Sequence, residues 1–444
     1  MTALPAWMDF IMHSFPSVFY IGFEKSAKAN DIMLTLTHKT PVDLTASWAA
    51  YQQLVYDYPA TRVNYVLNQN SRRYEWQFME QPQITRLLRD EEHQQNTFHS
   101  KEAVYSAYYP TNHCLPIRIR HINANTSVFV ISHVFADGRT TFSWLNEWCK
   151  RYQAKALGET PTVTDNPDIP DSVPPHWNNP GKPQGRAALA WSALTHLLSL
   201  STKAAFSPGR HLVDVSRGRC PDPEQTGSHV AGLCFSQEQT RDIISAAHAA
   251  GLSTAGYIHH ALSSALFECF PEKSKQLFGI ASDVSGAFPC ADPLAPGCLI
   301  NPHLQVLNKN KPLRDQVRHI YQQARSGMPV SLLALSSLIV PSEQFLEKHV
   351  AKGTLVPARK RSLLERLSFI YSHVRDGDFQ SSNQVLESIS GHTKSQTVFV
   401  ASTIINGRLS LEMCATRMLF SPTDIDQWFD KTVDSLITGR FQYA

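Results

Sequence analysis

The chain has 444 residues, of which 42% are hydrophobic and 18% charged, and its formal net charge is +3 at pH 7. The length suits two domains of ordinary size, and the composition is typical of a globular enzyme rather than of a disordered chain. Because the net charge is small and both signs are dispersed, the sequence argues against nucleic acid or anionic lipid as a partner.

The first third of the chain alternates between strand and helix patterns. The apolar periodicity predicts a helix at 42–56 and strands at 32–36, 61–67, 73–78 and 115–121. The polar segment Asn68-Gln69-Asn70-Ser71 lies between the second and third of these strands, which predicts a hairpin. In the fourth, apolar residues alternate with Arg118 and Arg120, so we expect a half-buried strand with both arginines on the open face.

A short apolar run at 127–132 predicts a buried central strand, and His133 follows it directly. Beyond Gly138, an amphipathic helix is predicted from Thr140, with Phe142, Leu145, Trp148 and Tyr152 on one side. The segment His133-Val134-Phe135-Ala136-Asp137-Gly138 is therefore expected on a turn between a strand and a helix. Such a turn presents a side chain to a cleft from a rigid support.

The composition then changes to proline, asparagine, aspartate and glycine. We expect an N-terminal domain at 1–157, a crossover linker with one short helix (188–200) at 158–228, and a C-terminal domain at 229–444. In the last domain, Ser236 is predicted to cap a helix, and Asn406-Gly407 predicts a hairpin turn. Strands are predicted at 230–235, 277–284, 304–306, 367–371, 397–405 and 408–415, and helices at 253–270, 313–326 and 422–438.

The segment from His133 to Gly138 carries the candidate chemistry. Histidine is the side chain most often used as a general base near neutral pH. Asp137 is expected to brace the loop, and Gly138 to give the turn its backbone freedom. A histidine that follows a buried strand can equally be a hydrogen-bonded core residue, and this alternative stays open on the motif alone.

Similarity over nearly the whole chain favours the catalytic interpretation. The sequence resembles the chloramphenicol-acetyltransferase-like superfamily, and most of all its condensation-domain-like branch and the polyketide-associated acyltransferases. The similar segments are Tyr58-Pro59-Ala60-Thr61-Arg62, Leu115-Pro116-Ile117-Arg118-Ile119, Ser132 to Gly138 with Trp144, Leu145 and Tyr152, and Leu233-Cys234-Phe235-Ser236 with Gly251-Leu252-Ser253.

This resemblance implies an α/β (α+β) fold of two chloramphenicol-acetyltransferase-like subdomains, each a mixed sheet flanked by helices, with an active-site tunnel between them. It implies acyl transfer from acyl-CoA or an acyl carrier protein to the hydroxyl or amine of a small molecule, in secondary metabolism. His133 would deprotonate the acceptor, and Asp137 would be mainly structural. The resemblance implies neither a metal nor a bound prosthetic group.

The sequence departs from the family at several positions. Ser132 replaces the first histidine of the condensation-domain motif, which points away from peptide condensation. The family's arginine that pairs with the motif's aspartate is expected near Ser285 and is absent, so Arg139 is a candidate substitute. Ser372 is a candidate oxyanion donor, although a surface turn is an equal alternative. Ser132 and Asn301 are candidate substrate-binding residues.

Other features favour structural roles. The eight cysteines are scattered without zinc spacing, and we expect reduced, inert thiols in a cytoplasmic protein. Residues 3–23 are apolar but interrupted, so neither a signal peptide nor a membrane span is expected there. His259 and His260 lie in a predicted helix and are interpreted as helix-face residues. We expect a monomer.

Two other functions stay open. The missing arginine motivates a catalytically altered member that cyclises or only binds a small molecule. Protein docking without chemistry would need an exposed apolar patch. A carrier-protein donor would need a basic surface, for which Arg359-Lys360-Arg361 is a candidate, although such a run is more often a solvated face.

Overall fold

The computed structural model describes most of the chain outside the predicted linker. The described residues are 31–68, 73–94, 97–107, 114–159, 169–178, 191, 194–195, 228–288, 292, 294–297, 299–325, 327, 329–330, 367–374, 382–393, 397–417 and 420–443. Their strands form a four-stranded sheet, a six-stranded sheet and a two-stranded hairpin. The predicted α/β architecture with two sheets flanked by helices is confirmed.

The first half begins with a strand and ends with the helix that follows His133. Its elements are β1 Asp31–His38, α1 Leu44–Asp57, β2 Val63–Asn68, β3 Arg73–Phe78, α2 Gln81–Gln94, α3 Lys101–Ser106, β4 Ile117–Asn123, β5 Thr126–Ser132, α4 Gly138–Ala156 and α5 Pro175–Asn178. The predicted hairpin is confirmed, because β2 and β3 pair antiparallel. Helices α2 and α3 were not predicted.

The second half contains the larger sheet and four of the helices that pack around it. Its elements are β6 Ser228–Cys234, α6 Gln237–Ala249, α7 Thr254–Cys269, β7 Lys275–Asp283, β8 Ile300–Asn308, α8 Leu313–Arg325, β9 Phe369–Val374, α9 Ser382–Val385, β10 Leu386–Thr393, β11 Val398–Ile405, β12 Arg408–Thr416 and α10 Pro422–Thr438. The predicted capping box at Ser236 and the hairpin turn at Asn406-Gly407 are both confirmed.

The first sheet has the strand order β10-β1-β5-β4 and is antiparallel in its described pairs. Its interior strand β5 carries the apolar run that precedes His133, and Phe129 and Ile131 are fully buried. One face packs against α1 and α4, where Trp144, Leu145 and Trp148 complete a large core. Strand β5, which ends at Ser132, therefore lies between two neighbouring strands and packs against two helices, as expected of a rigid support.

The second sheet has the order β6-β12-β11-β9-β7-β8 and is mixed, since β9 runs parallel to both β7 and β11. One face buries the core formed with α6, α7, α8 and α10, which includes Phe278, Phe369 and Trp428. His259 and His260 on α7 are buried in this packing. Their interpretation as packed helix residues agrees with this position.

Strand β10 joins the two halves, and the sequence did not predict it. It lies between α9 and β11 in the chain, yet it pairs with β1 at the edge of the first sheet. Its sequence Leu386-Glu387-Ser388-Ile389-Ser390 carries few apolar residues and does not alternate between polar and apolar positions. The strand therefore owes its position to pairing with β1, a contact distant in sequence.

The prediction of an open face for β4 was wrong. Arg118 and Arg120 are both fully buried, because each meets a buried carboxylate on the same side of the first sheet. Arg118 donates to Asp31 at 3.0 Å, and Arg120 donates to Glu91 at 2.6 Å. Alternation of polar and apolar residues cannot distinguish a solvated face from a face of buried ion pairs.

Several predictions fall outside the described residues. These are the N-terminal apolar stretch at 3–23, most of the linker and its short helix, and the basic run Arg359-Lys360-Arg361. Among the described residues, no helix is both long and apolar enough to span a membrane.

Candidate active site

A tight turn at the end of β5 positions His133. The backbone N–H of Ser132 donates to the carbonyl of Pro116 at 3.0 Å, and the carbonyl of Ser132 accepts from the N–H of Phe135 at 3.0 Å. Ser132 and His133 are 2% and 7% exposed. The hydrogen bond to Pro116 holds the end of β5 in place, and the hydrogen bond from Phe135 closes the turn.

The imidazole of His133 is held in its neutral form. Burial lowers the pKa of His133 to about 4, and hydrogen bonding to the backbone of His133 itself and of Ala136 opposes part of this shift. A neutral imidazole carries one nitrogen lone pair that can take a proton, which a general base requires. Near neutral pH, the ring is therefore in the form that can accept a proton.

Asp137 joins the two halves through backbone hydrogen bonds. Its Oδ1 accepts from the N–H of Thr140 at 2.9 Å and caps α4, while its Oδ2 accepts from the N–H of Leu299 at 2.8 Å. Burial raises the pKa of Asp137, and these two hydrogen bonds act against that rise. Because the two carboxylate oxygens accept from one backbone donor in each half, Asp137 fixes the turn relative to the second sheet.

The segment that follows β7 makes further contacts with the turn. The N–H of Gly297 donates to the carbonyl of Phe135 at 2.6 Å, and the indole N–H of Trp144 donates to the carbonyl of Leu294 at 3.1 Å. Gly297 has a φ of 141°, a conformation that favours glycine. The chain from the second half thus contacts both the His133 turn, at Phe135, and the helix that follows it, at Trp144.

The expected role of Gly138 is corrected. It begins α4, and its φ lies outside the positive region, so the turn does not use the conformational freedom of glycine here. A Cβ at this position would lie 3.4 Å from Cδ1 of Ile300. This distance is an ordinary van der Waals contact, so neither backbone conformation nor this neighbour requires glycine at position 138.

The expectation that Arg139 pairs with Asp137 was wrong. Arg139 donates to Oγ of Ser285, and its Nε lies 3.9 Å from Oδ2 of Asp283. The side chain points across to the second half because α4 begins at Gly138 and turns it away from the capping carboxylate. The family's arginine was expected near Ser285. At this position, Ser285 instead accepts a hydrogen bond from the guanidinium of Arg139 in the other half.

The other candidate residues lie in the second sheet. Ser372 is in β9 opposite Ala401, within a strand and not in a surface turn. Strand alternation places it on the face of Val374, which packs against the core of the first half. Asn301 is in β8, paired with Ser282, and its side chain lies outside the described atoms.

Sequence reasoning missed three contacts: Gly297 with Phe135, Leu299 with Asp137, and Leu294 with Trp144 on α4. All three act through backbone groups, which leave little trace in side-chain identity. The run Pro296-Gly297 was the one available signal, since it marks an irregular segment. Among the described residues, no group of three or more histidine, cysteine, aspartate or glutamate side chains could hold a metal ion.

Comparisons with known proteins give a result at the level of structure alone. No protein-family model matches the sequence, and no curated protein is significantly similar to it. Solved structures do match over almost the full length. The trichothecene 15-O-acetyltransferase of Fusarium sporotrichioides covers 96% of this chain and 94% of its own, with a TM-score of 0.65 and 10% identity.

Two further structures give the same result. Polyketide synthase associated protein 5 of Mycobacterium tuberculosis matches 94% of this chain and 96% of its own, at a TM-score of 0.58 and 14% identity. The starter condensation domain of rhizomide synthetase, solved with C8-CoA, matches 98% of this chain and 94% of its own, at a TM-score of 0.57 and 12% identity. The chain therefore shares its fold with these acetyltransferase, polyketide-synthase-associated and condensation-domain structures.

Proposed function

We propose that this protein is an acyltransferase. It moves an acyl group from a thioester, either acyl-CoA or an acyl carrier protein, to a hydroxyl or amine of a small molecule in secondary metabolism. The observation that carries the proposal is the His133 turn, whose neutral, buried imidazole follows a central strand and is held against the second half through Asp137 and Leu299.

In the proposed mechanism, His133 removes the proton from the acceptor as its oxygen or nitrogen attacks the thioester carbonyl. The carbonyl oxygen becomes an oxyanion, and collapse of the tetrahedral intermediate breaks the carbon–sulfur bond. The thiolate leaves with the proton that His133 returns. Ser372 is the proposed donor to the oxyanion, and Ser132 and Asn301 are the proposed substrate-binding residues.

The wider assignment follows the same proposal. The two subdomains are 1–157 and 229–444, joined by the 158–228 crossover, and the acceptor and donor reach His133 through a tunnel between them. No bound metal or prosthetic group takes part. The protein acts as a cytoplasmic monomer. An acetyltransferase and a complex with C8-CoA among the structures of the same fold support the acyl-transfer part of this proposal.

A second candidate is a member of this fold that cyclises or binds a small molecule without transferring an acyl group. Two observations favour it. The lowered pKa of His133, about 4, makes its imidazole a weak base near neutral pH. In addition, Ser285 stands where the family's arginine was expected, and Arg139 reaches it from the other half.

A thiol-release assay distinguishes the two candidates. The purified protein is supplied with a panel of acyl-CoA thioesters and of acyl carrier protein thioesters of increasing chain length, with and without a mixture of alcohols and amines. Acyl transfer predicts thiol release that depends on the acceptor and follows one range of chain lengths. A cyclase or a binding protein releases no thiol with any donor, and that result would overturn the proposed function.

A further inference from the structure

A buried carboxylate and a buried imidazole meet where the two sheets adjoin. Glu412 lies on β12 of the second sheet, and His392 lies on β10, which belongs to the first sheet. Nδ1 of His392 is 3.4 Å from Oε2 of Glu412, and the two residues are 1% and 5% exposed. We call these two side chains the junction pair.

The junction pair is poorly satisfied. Three buried atoms form no hydrogen bond within the described part of the chain: the two ring nitrogens of His392 and Oε2 of Glu412. A buried carboxylate without strong donors is destabilising by several kcal/mol. The two atoms that face each other are too far apart for a good hydrogen bond, so both retain capacity for a third group.

Other buried acids near this face have their cations. Asp31 pairs with Arg118, and Glu91 pairs with Arg120, both within hydrogen-bond distance. In the part of the chain that the structure describes, no lysine or arginine forms an ion pair with Glu412. The junction pair therefore differs from its neighbours in lacking a permanent cationic side chain.

Tyr105 packs against one side of the junction pair, and the edge strand β6 lies on the other side. The ring of Tyr105 stands edge-on to His392, with the ring centres 4.3 Å apart, and its hydroxyl hydrogen-bonds Thr35. Burial and the nearby carboxylate of Glu412 raise the pKa of Tyr105. The Tyr105 hydroxyl stays protonated and is hydrogen-bonded to Thr35, so it does not donate a hydrogen bond to Glu412.

On the other side, Gly232 of β6 stands directly opposite Glu412 in the sheet. A Cβ there would lie 3.7 Å from Oε1 of Glu412, and Gly232 is exposed. The absence of a side chain at Gly232 leaves the Oε1 side of the carboxylate uncovered at this edge of the sheet, while Oε2 stays enclosed. A carboxylate oxygen and an imidazole nitrogen, both without a hydrogen bond among the described residues, form a site for a cation that donates hydrogen bonds.

We propose that the junction pair binds a primary ammonium group, with Glu412 supplying the charge and His392 a second acceptor. The ammonium group has the three donors that two convergent acceptors and a water can satisfy, and it supplies the positive charge that the carboxylate lacks. A hydroxyl would leave the carboxylate uncompensated, and a carboxylate ligand would be repelled.

The position of the site relates it to the His133 turn. His392 pairs with Met33, Ser132 pairs with Asp31, and both Ser132 and His392 lie on the same face of the first sheet. Ser132 and His392 are two strands apart across the sheet and offset by two residues along it. This separation corresponds to roughly 12 Å between their Cα atoms. Resting on the proposed function, we infer an acceptor that carries an amine about this far from its acylated group.

Binding of simple amines tests the site without requiring turnover. Hexylamine hydrochloride, hexanol and hexanoate are titrated into the full chain by calorimetry at slightly alkaline pH. We expect saturable binding of hexylamine alone, weakened about tenfold or more by Glu412→Gln, which is nearly isosteric. The matched control is Glu387→Gln, which removes a half-exposed carboxylate that pairs with Arg408 between the same two strands.

Each outcome decides the proposal. Glu387→Gln is expected to bind hexylamine like the unmodified chain, and thermal unfolding of both variants verifies that they fold. If hexylamine does not bind, or binds equally to Glu412→Gln, then Glu412 and His392 form only an internal ion pair and the proposal is overturned. Because hexylamine binding does not need His133, loss of acyl transfer in a His133 variant leaves this result unaffected.

Discussion

The backbone N–H of Leu299 donates to Oδ2 of Asp137 at 2.8 Å, and this hydrogen bond links the motif turn of the first half to the chain that enters β8 of the second half. Oδ1 of the same carboxylate caps α4 through Thr140. One side chain thus stabilises a helix start and the contact between the two halves. The aspartate needs no arginine here, because two backbone donors take that place.

Replacing Asp137 with alanine should destabilise the protein more than loss of a helix cap alone. The cap contributes about 1 kcal/mol, and an unsatisfied buried N–H at Leu299 adds about 1–3 kcal/mol, so we expect a loss of about 2–4 kcal/mol in urea unfolding. Asp43→Ala is the matched control, since Asp43 caps α1 through Ala46 at an exposed position. An equal loss in both variants would show that the Leu299 hydrogen bond contributes nothing.

The buried and exposed arginine pairs should differ in their contribution to stability. Arg118→Met leaves the carboxylate of Asp31 buried without its cation, and we expect a loss of about 3–5 kcal/mol in the free energy of unfolding. Arg139→Ala removes an ion pair whose side chains are 40% and 44% exposed, for which we expect less than about 1 kcal/mol. Urea unfolding of both variants checks the order, and the reverse order would contradict it.

Buried histidines should make the protein sensitive to acid. Burial lowers the pKa of His38 and His121 to about 4, and of His259 to about 3, whereas an unfolded chain titrates near 6.5. Below that value the unfolded state binds more protons, so stability is full above about pH 6.5 and is lost as the pH falls toward 4. Each such histidine contributes a slope of up to about 1.4 kcal/mol per pH unit.

Urea unfolding between pH 8 and pH 5 measures this effect. The variant His121→Gln should reduce the slope below about pH 6.5, because one buried site that cannot be protonated is removed. His229→Gln is the control, since His229 is partly exposed and pairs with Asp426. A free energy of unfolding that does not change between pH 7 and pH 5 would be incompatible with buried neutral imidazoles.

The pH dependence of acyl transfer should follow the lowered pKa of His133. A base must be deprotonated to act, and His133 loses its proton at about pH 4. We therefore expect no acid limb near pH 6.5 in kcat/KM, and a fall only as the pH approaches 4. Rates are read within seconds after a pH jump, so that acid unfolding does not contribute. An acid limb centred near 6.5 would show that the imidazole is solvated during turnover.

Local signals predicted those parts of the fold that short segments determine. Helix α10 was predicted from Pro422 to Thr438, the bounds it has, because proline at its start and an apolar period define it. The Asn406-Gly407 turn was predicted because both residues adopt positive φ readily. Strand β10 was missed because its stability comes from β1, which lies far away in sequence.

The candidate site divides in the same way. His133 and Asp137 could be found, since a strand, a turn and a helix around them leave a local pattern. The partners of Asp137 and Arg139 could not, because a backbone N–H such as that of Leu299 is common to nearly all residue types. The burial of Arg118 depended on Asp31, a partner 87 positions away.

The rate of acceptor-dependent thiol release by His133→Ala tests the central claim most directly. If His133 is the general base, this variant should lose about 10²–10⁴-fold in kcat while it remains folded, and His229→Gln should keep the rate of the unmodified chain. A folded His133→Ala variant that transfers acyl groups at the original rate would contradict the account.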